Sequence, residues 1–179
     1  MEAIDLRELP RDDEARPASL GWGQEVAKRA FDLAVAAILL VITFPVMVVL
    51  AVAVMVSLRT WRPIFVHERV GRQGRRIKVP KLRTLPVTAP TDTDKYALAA
   101  VRTTRLGRAL RASHFDELPQ LVLVLAGRMS LVGPRPEMPR LASRFDSSFA
   151  AARTSLRPGC TGLWQVSVDA DKLICEVPH

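Results

Sequence analysis

The sequence predicts an α+β chain: a small, mostly helical domain with short strands, attached behind one long apolar helix near the N-terminus. Three observations predict it. Residues 33–58 form an uninterrupted uncharged run of 26 positions, longer than the roughly 20 apolar residues needed to cross a bilayer. Behind it, a β-branched and aromatic run, Ile64 to His67, is followed by turn glycines at Gly71 and Gly74, as strands and turns require. Beyond those, apolar residues recur at helical spacing in several short stretches. At 179 residues the chain suffices for one domain with a real core and an appendage.

Residues 1–27 are polar and dotted with proline, with no apolar periodicity before Val26, and read as a mobile tail. Their acidity, and their length ahead of any apolar core, exclude a signal peptide. Residues 28–62 form the membrane segment. Pro45, at its middle, deletes one backbone hydrogen bond and crowds the preceding turn, and Thr43 is placed to re-satisfy a freed carbonyl. Lys28 and Arg29 precede the apolar run while Arg59 and Arg62 follow it, so basic flanks give no direction of insertion. A kinked re-entrant helix-turn-helix and a kinked span both fit.

Residues 63–179 form the domain. Arg72, Arg75, Arg76 and Lys78 make a basic cluster suited to anionic headgroups. Strand alternation turns Lys81 and Arg83 to one face. Pro86 to Lys95 is an exposed loop. A helix is expected from Tyr96 to about Ala112, its arginines three apart and therefore fanned around the axis; Arg111 lies closest in sequence to Asp116. Ser113 to Glu137 is the stretch around which the rest is organised. Leu118, Leu121, Val122 and Leu125 draw one apolar stripe, Asp116 falls near the N-cap with Glu117 in the first turn, and Gly127 is the natural stop. From Leu141 the chain reads as a second amphipathic helix that ends before Pro158-Gly159.

Paired acids at a helix start are ordinarily caps. Here the arginines upstream, and Arg135 held between Pro134 and Pro136, suggest a site for phosphates and a metal. A helix start favours negative charge, so both acids are expected to be ionised near neutrality. An ionised aspartate can act as a nucleophile or hold a divalent cation. Charge is unevenly spread: residues 1–32 carry five basic and eight acidic residues, and residues 59–179 carry 21 and 10. A basic body beside an apolar segment suits a membrane surface or phosphorylated substrates. Nucleic acid is disfavoured, because aromatic residues are only 6% and no recognition motif is present. Cys160 and Cys175 read as ordinary reduced thiols.

Five motifs then occur in order: KLRT (Lys81 to Thr84), TRLGRALR, DELPQL, MSLVGPRPE and RPGCTGLWQV (Arg157 to Val166). Together, over about Lys28 to Val166, they resemble the bacterial sugar transferase family, the monotopic phosphoglycosyl transferases that load a sugar phosphate onto polyprenyl phosphate. The resemblance implies the re-entrant form of the membrane helix and a catalytic domain on the cytoplasmic face of the inner membrane. It implies a UDP-sugar donor, a polyprenyl (undecaprenyl) phosphate acceptor and surrounding membrane lipids, with no nucleic acid, and it allows a homo-oligomer. Asp116 and Glu117 are implied as catalytic and as ligands of Mg²⁺, with Asp116 forming an aspartyl phosphosugar as UMP leaves. Lys81, Arg83, Arg111, Arg135 and Glu137 are implied as substrate-binding. The product would start exopolysaccharide or other glycoconjugate synthesis. The family continues with a further strand and helix past the point where this sequence ends. The rival reading is a truncated, catalytically inactive relative acting as a membrane-tethered basic binding protein.

Overall fold

The structure, a computed structural model, describes residues 21–89 and 103–162. Helix α1 (Trp22–Leu58) is 37 residues long, about 55 Å at 1.5 Å per residue. It starts where Gly21 donates its N–H to the Gln24 side chain and ends at Arg59 in the left-handed region, φ 48°. By length and composition it can cross a membrane. Most of its apolar side chains, such as Val41, Ile42, Phe44 and Val49, face away from the rest of the chain. Such a surface belongs in lipid, as in a membrane-associated helix. Trp22 and Trp61, 84% and 93% exposed, stand at its two ends, where indoles favour the membrane–water boundary.

Two features of α1 differ from expectation. Helical structure begins at Trp22, ahead of Lys28, so residues 22–27 are not tail. The helix also continues through Pro45 as one element, in place of two helices joined by a turn. A proline within a helix forfeits one backbone hydrogen bond, whereas a turn at that depth would strand several polar groups in hydrocarbon. Thr43 Oγ1 donates to the Leu39 carbonyl at 2.7 Å. It therefore bonds back to its own turn, an arrangement that bends helices, and leaves the Val41 carbonyl that Pro45 would have bonded.

Strands β1 (Ile64–Val70) and β2 (Arg76–Leu82) form an antiparallel hairpin with Ile64 opposite Leu82 and Val70 opposite Arg76. Opposed residues share a face, so Phe65, His67 and Arg69 line one side with Lys81, Val79 and Ile77. The intervening turn needs two left-handed residues, Gln73 at φ 57° and Gly74 at φ 72°. Helix α2 (Arg105–Ala112) is capped by Thr104, whose Oγ1 accepts from Gly107 N at 3.0 Å. Of the stretch predicted as a helix from Tyr96, the described part is helical from Arg105, where the Thr104 hydroxyl caps the first turn. Residues 90–102, which include Arg102 and most of the predicted loop, lie outside the described residues.

A 3₁₀ turn (Phe115–Gln120) leads into α3 (Leu121–Leu125), and Gly127 at φ 76° stops it as predicted. The buried stripe runs through Leu121, Leu123 and Val124, while Val122 is exposed. The expected stripe assumed α-helical pitch from Asp116 onward, and the tighter 3₁₀ turn shifts the phase. Strand β3 (Ser130–Val132) pairs in parallel with β4 (Gly159–Thr161). Between them run α4 (Pro139–Ala142) and α5 (Ser147–Ser155). The single helix expected here is split because Asp146 accepts from Ser148 N at 2.9 Å and starts a new helix. Trp164 and Gln165 lie outside the described residues.

The core joins Ala36 of α1 to Ile77 and Val79 of β2, Leu123 and Val124 of α3, and Met129. Polar contacts tie α1 to the same place. Asp32, 3% exposed, accepts from Ser130 Oγ at 2.7 Å and from Leu131 N at 3.3 Å, and pairs with Lys28 at 3.0 Å. Arg29 donates to the Val124 carbonyl at 2.8 Å and also to those of Leu125 and Met129, capping the C-terminal end of α3.

Candidate active site

The inner face of the hairpin and the 3₁₀ turn bring the acids together with cations from three other segments. Lys81 leans from β2 to Glu117, Nζ to Oε1 at 2.5 Å. Asp116 is 8% exposed, and among the described residues its carboxylate has no salt bridge and no side-chain hydrogen bond. His114, at φ 58°, turns the chain sharply just before the acids. Arg111, from the last turn of α2, anchors its Nε on Thr84 Oγ1 at 2.9 Å and acts on Asp116 electrostatically. A cleft of about 20 Å³ is lined by Arg69, Lys81, Glu117, Gln120, Arg135 and Cys160 among others.

Two neighbouring acids are thus tuned in opposite directions. Burial pushes the Asp116 carboxyl above the ordinary aspartate value; Lys81 and Arg111 oppose this, and the Glu117 charge adds to it. For Asp116 desolvation outweighs the pull of the few N–H dipoles of a short turn. Burial also pushes Glu117 up, but the Lys81 charge and hydrogen bond outweigh it, with Arg135 and His114 adding to their effect. Glu117 is therefore held below the usual range and is ionised at neutral pH.

Of the residues predicted from the sequence, Lys81, Arg111, Asp116, Glu117 and Arg135 come together. Arg83 does not reach them: its Nε donates to the Arg62 carbonyl at 2.9 Å and its guanidinium lies 5.5 Å above the Phe65 ring. Glu137 is taken by Arg153, 3.2 Å away, and its carbonyl accepts from Val70 N at 2.8 Å. Arg69 also lines the cleft, and the sequence reading did not single it out. Burial, then repulsion from Arg135, lowers its affinity for the proton, opposed by Glu137 and Glu117; it stays charged as guanidiniums do. Extending the alternation of β1 past His67 would have put Arg69 on the same face. Cys160 is inert: burial, then the charges of Glu117 and Asp32, push its thiol up to about 12.

Among the described residues no three His, Cys, Asp or Glu side chains converge as a metal cage. Two adjacent carboxylates, one with an oxygen left over from its lysine, fit magnesium nonetheless. That ion takes one or two carboxylates and fills its other positions with water and substrate phosphate.

Comparison with known proteins gives the family. The family described as bacterial sugar transferase matches residues 23–177. The UDP-galactose-lipid carrier transferase of Erwinia amylovora is 41% identical over 160 residues, covering 78% of this chain and 32% of that protein. The UDP-N-acetylgalactosamine-undecaprenyl-phosphate N-acetylgalactosaminephosphotransferase of Aeromonas hydrophila is 35% identical over 160 residues, covering 85% and 37%. The UDP-glucose:undecaprenyl-phosphate glucose-1-phosphate transferase of Caulobacter vibrioides is 39% identical over 150 residues, covering 79% and 54%. The chain spans about a third to a half of the length of these relatives.

Proposed function

The chain belongs to the bacterial sugar transferase family, and on that premise we propose that it moves a sugar 1-phosphate from a UDP-sugar to polyprenyl phosphate and releases UMP. The observation that carries this reading is Asp116: a nearly buried carboxylate without a side-chain partner, beside Lys81 and Arg111. In the proposed chemistry an oxygen of Asp116 attacks the sugar-bearing phosphorus, the bond from that phosphorus to the bridging oxygen breaks, and UMP leaves with the electron pair. A phosphate oxygen of the polyprenyl acceptor then attacks the same phosphorus and the carboxylate departs unchanged. Partial desolvation makes Asp116 a better nucleophile, and Lys81 keeps it ionised enough to act.

Lys81, Arg69 and Arg135 line the cleft where the diphosphate would lie, and the flanking prolines hold Arg135 to one approach. Magnesium, when bound, would be held by the free oxygen of Glu117 and by Asp116, and it would neutralise the diphosphate. Splitting the reaction suits substrates that come from two phases, since each visits one shallow cleft in turn.

The membrane helix is read as dipping into the cytoplasmic leaflet and returning, bent at Pro45. Pro45, which has no N–H to give the Val41 carbonyl, and Thr43, bonded back to Leu39, support a bend at that depth. Membranes holding the chain, given UDP-glucose, UDP-galactose or UDP-N-acetylgalactosamine with undecaprenyl phosphate, are expected to release UMP with at least one donor. No release from any UDP-sugar would leave the membrane-tethered binding protein as the better reading.

A further inference from the structure

A second, larger cavity, of about 170 Å³, opens between the foot of α1 and the segment joining β3 to β4, sharing no lining residue with the cleft at Glu117. Four cations line it: Lys28, Arg29, Arg72 and Arg157. Its only acids among the described residues are Glu25, paired with Arg72 at 3.3 Å, and Asp32, paired with Lys28 at 3.0 Å. Among the described residues Arg29 and Arg157 are held by backbone carbonyls alone, Arg157 Nε donating to Gly127 O at 3.3 Å. Counted over the described residues, the cavity thus carries two positive charges more than it balances. A phosphate monoester carries about −1.5 to −2 near neutral pH, which matches that excess.

We propose that this cavity is a second phosphate site, which takes a phosphate monoester where the apolar helix enters the bilayer. The carbonyls orient the two uncompensated guanidiniums before any ligand arrives, so little side-chain entropy is lost on binding. Lys28 and Arg29 stand a few residues before the uncharged run that begins at Leu33, the depth at which lipid phosphates lie, and basic pockets there attract head groups. Exposed Val132 on the lining adds an apolar contact next to the charge. The site stands apart from the chemistry proposed at Asp116, and it holds or fails without it.

Isothermal titration calorimetry on the full chain in uncharged detergent at low salt tests the proposal, with dihexanoyl phosphatidic acid and inorganic phosphate as separate probes. Saturable binding that survives Arg135→Gln is expected. Arg157→Gln and Arg72→Gln should each weaken binding at least ~10-fold, Arg157→Lys should recover most of it, and Arg135→Gln should change it less than ~2-fold. Arg72→Gln guards against misfolding, since its partners, Glu25 and the Ser155 carbonyl, lie near the surface. Tighter binding of the lipid assigns the site to the bilayer, and equal binding assigns it to soluble phosphate; either result supports the site. Loss of binding in Arg135→Gln with none in Arg157→Gln, or the absence of saturable binding, overturns it.

Discussion

Asp116 and Glu117 are adjacent in the chain but differ in what surrounds them, and the proposed mechanism gives them different roles accordingly. Glu117 keeps a lysine and stays charged; Asp116 is more tightly buried and has no such partner. The acid limb of the pH–rate profile should therefore lie above the ordinary aspartate range, because the proposed mechanism needs Asp116 deprotonated and burial raises its pKa. Lys81 lowers that value, so Lys81→Met should move the limb to higher pH as well as slow turnover; UMP release measured across pH checks both. A limb that stays in place would mean that Lys81 does not act on the ionising group. The stability sign is the opposite of the usual carboxylate case. A raised folded-state pKa gives stability that is fully present at low pH and lost as pH rises through that pKa, so at neutral pH ionised Asp116 is a cost. Asp116→Asn should hold or raise the melting temperature at pH 7. The acidic pair, Lys81, Arg111 and Arg135 were legible because their motifs place them by type and order. Arg69 was not, since its place in the cleft depends on how far β1 extends and how it pairs with β2.

At the scale of elements, short side-chain caps decided where the sequence misled. Thr104 and Asp146 each satisfy a helix N-terminus in the middle of what reads as one periodic stretch, and periodicity alone does not register a cap. Glycines were more reliable. Gly127 ends α3, and Gly133 and Gly159 let β3 and β4 approach so closely that a Cβ on Gly133 would sit 2.5 Å from the Arg157 carbonyl. Gly133→Ala should destabilise the chain by about 1–3 kcal/mol and displace Arg135, two residues on. Thermal unfolding together with UMP release measures both, and an unchanged melting temperature would show that the strands can part at no cost. For α1, cysteines placed at Ser19 and Thr60, in a chain with Cys160 and Cys175 replaced, should be equally shielded from a membrane-impermeant thiol reagent in intact cells. Labelling at Ser19 alone would show a span. Pro45→Leu should push the helix toward that span, since it restores the lost hydrogen bond.

Across the whole molecule, the apolar run and the basic body were legible from composition, and the mode of their attachment was not. One carboxylate, Asp32, carries much of it: buried, it gathers Lys28, Ser130 and the Leu131 amide, and so fixes the membrane helix against the strand that leads to Arg135. Asp32→Ala leaves those groups unpaired and should cost about 1–3 kcal/mol, read as a lowered melting temperature in detergent. In the proposed reaction this attachment would let a water-borne donor and a bilayer acceptor meet one cleft, as a two-step covalent transfer requires. The direct test is to incubate active chain briefly with the UDP-sugar donor alone and examine its peptides by mass spectrometry. The account predicts a sugar-phosphate adduct on the peptide containing Asp116, absent from Asp116→Asn, whose turnover should fall at least ~10²-fold. Near-normal turnover in Asp116→Asn, with no adduct on the parent chain, would contradict it.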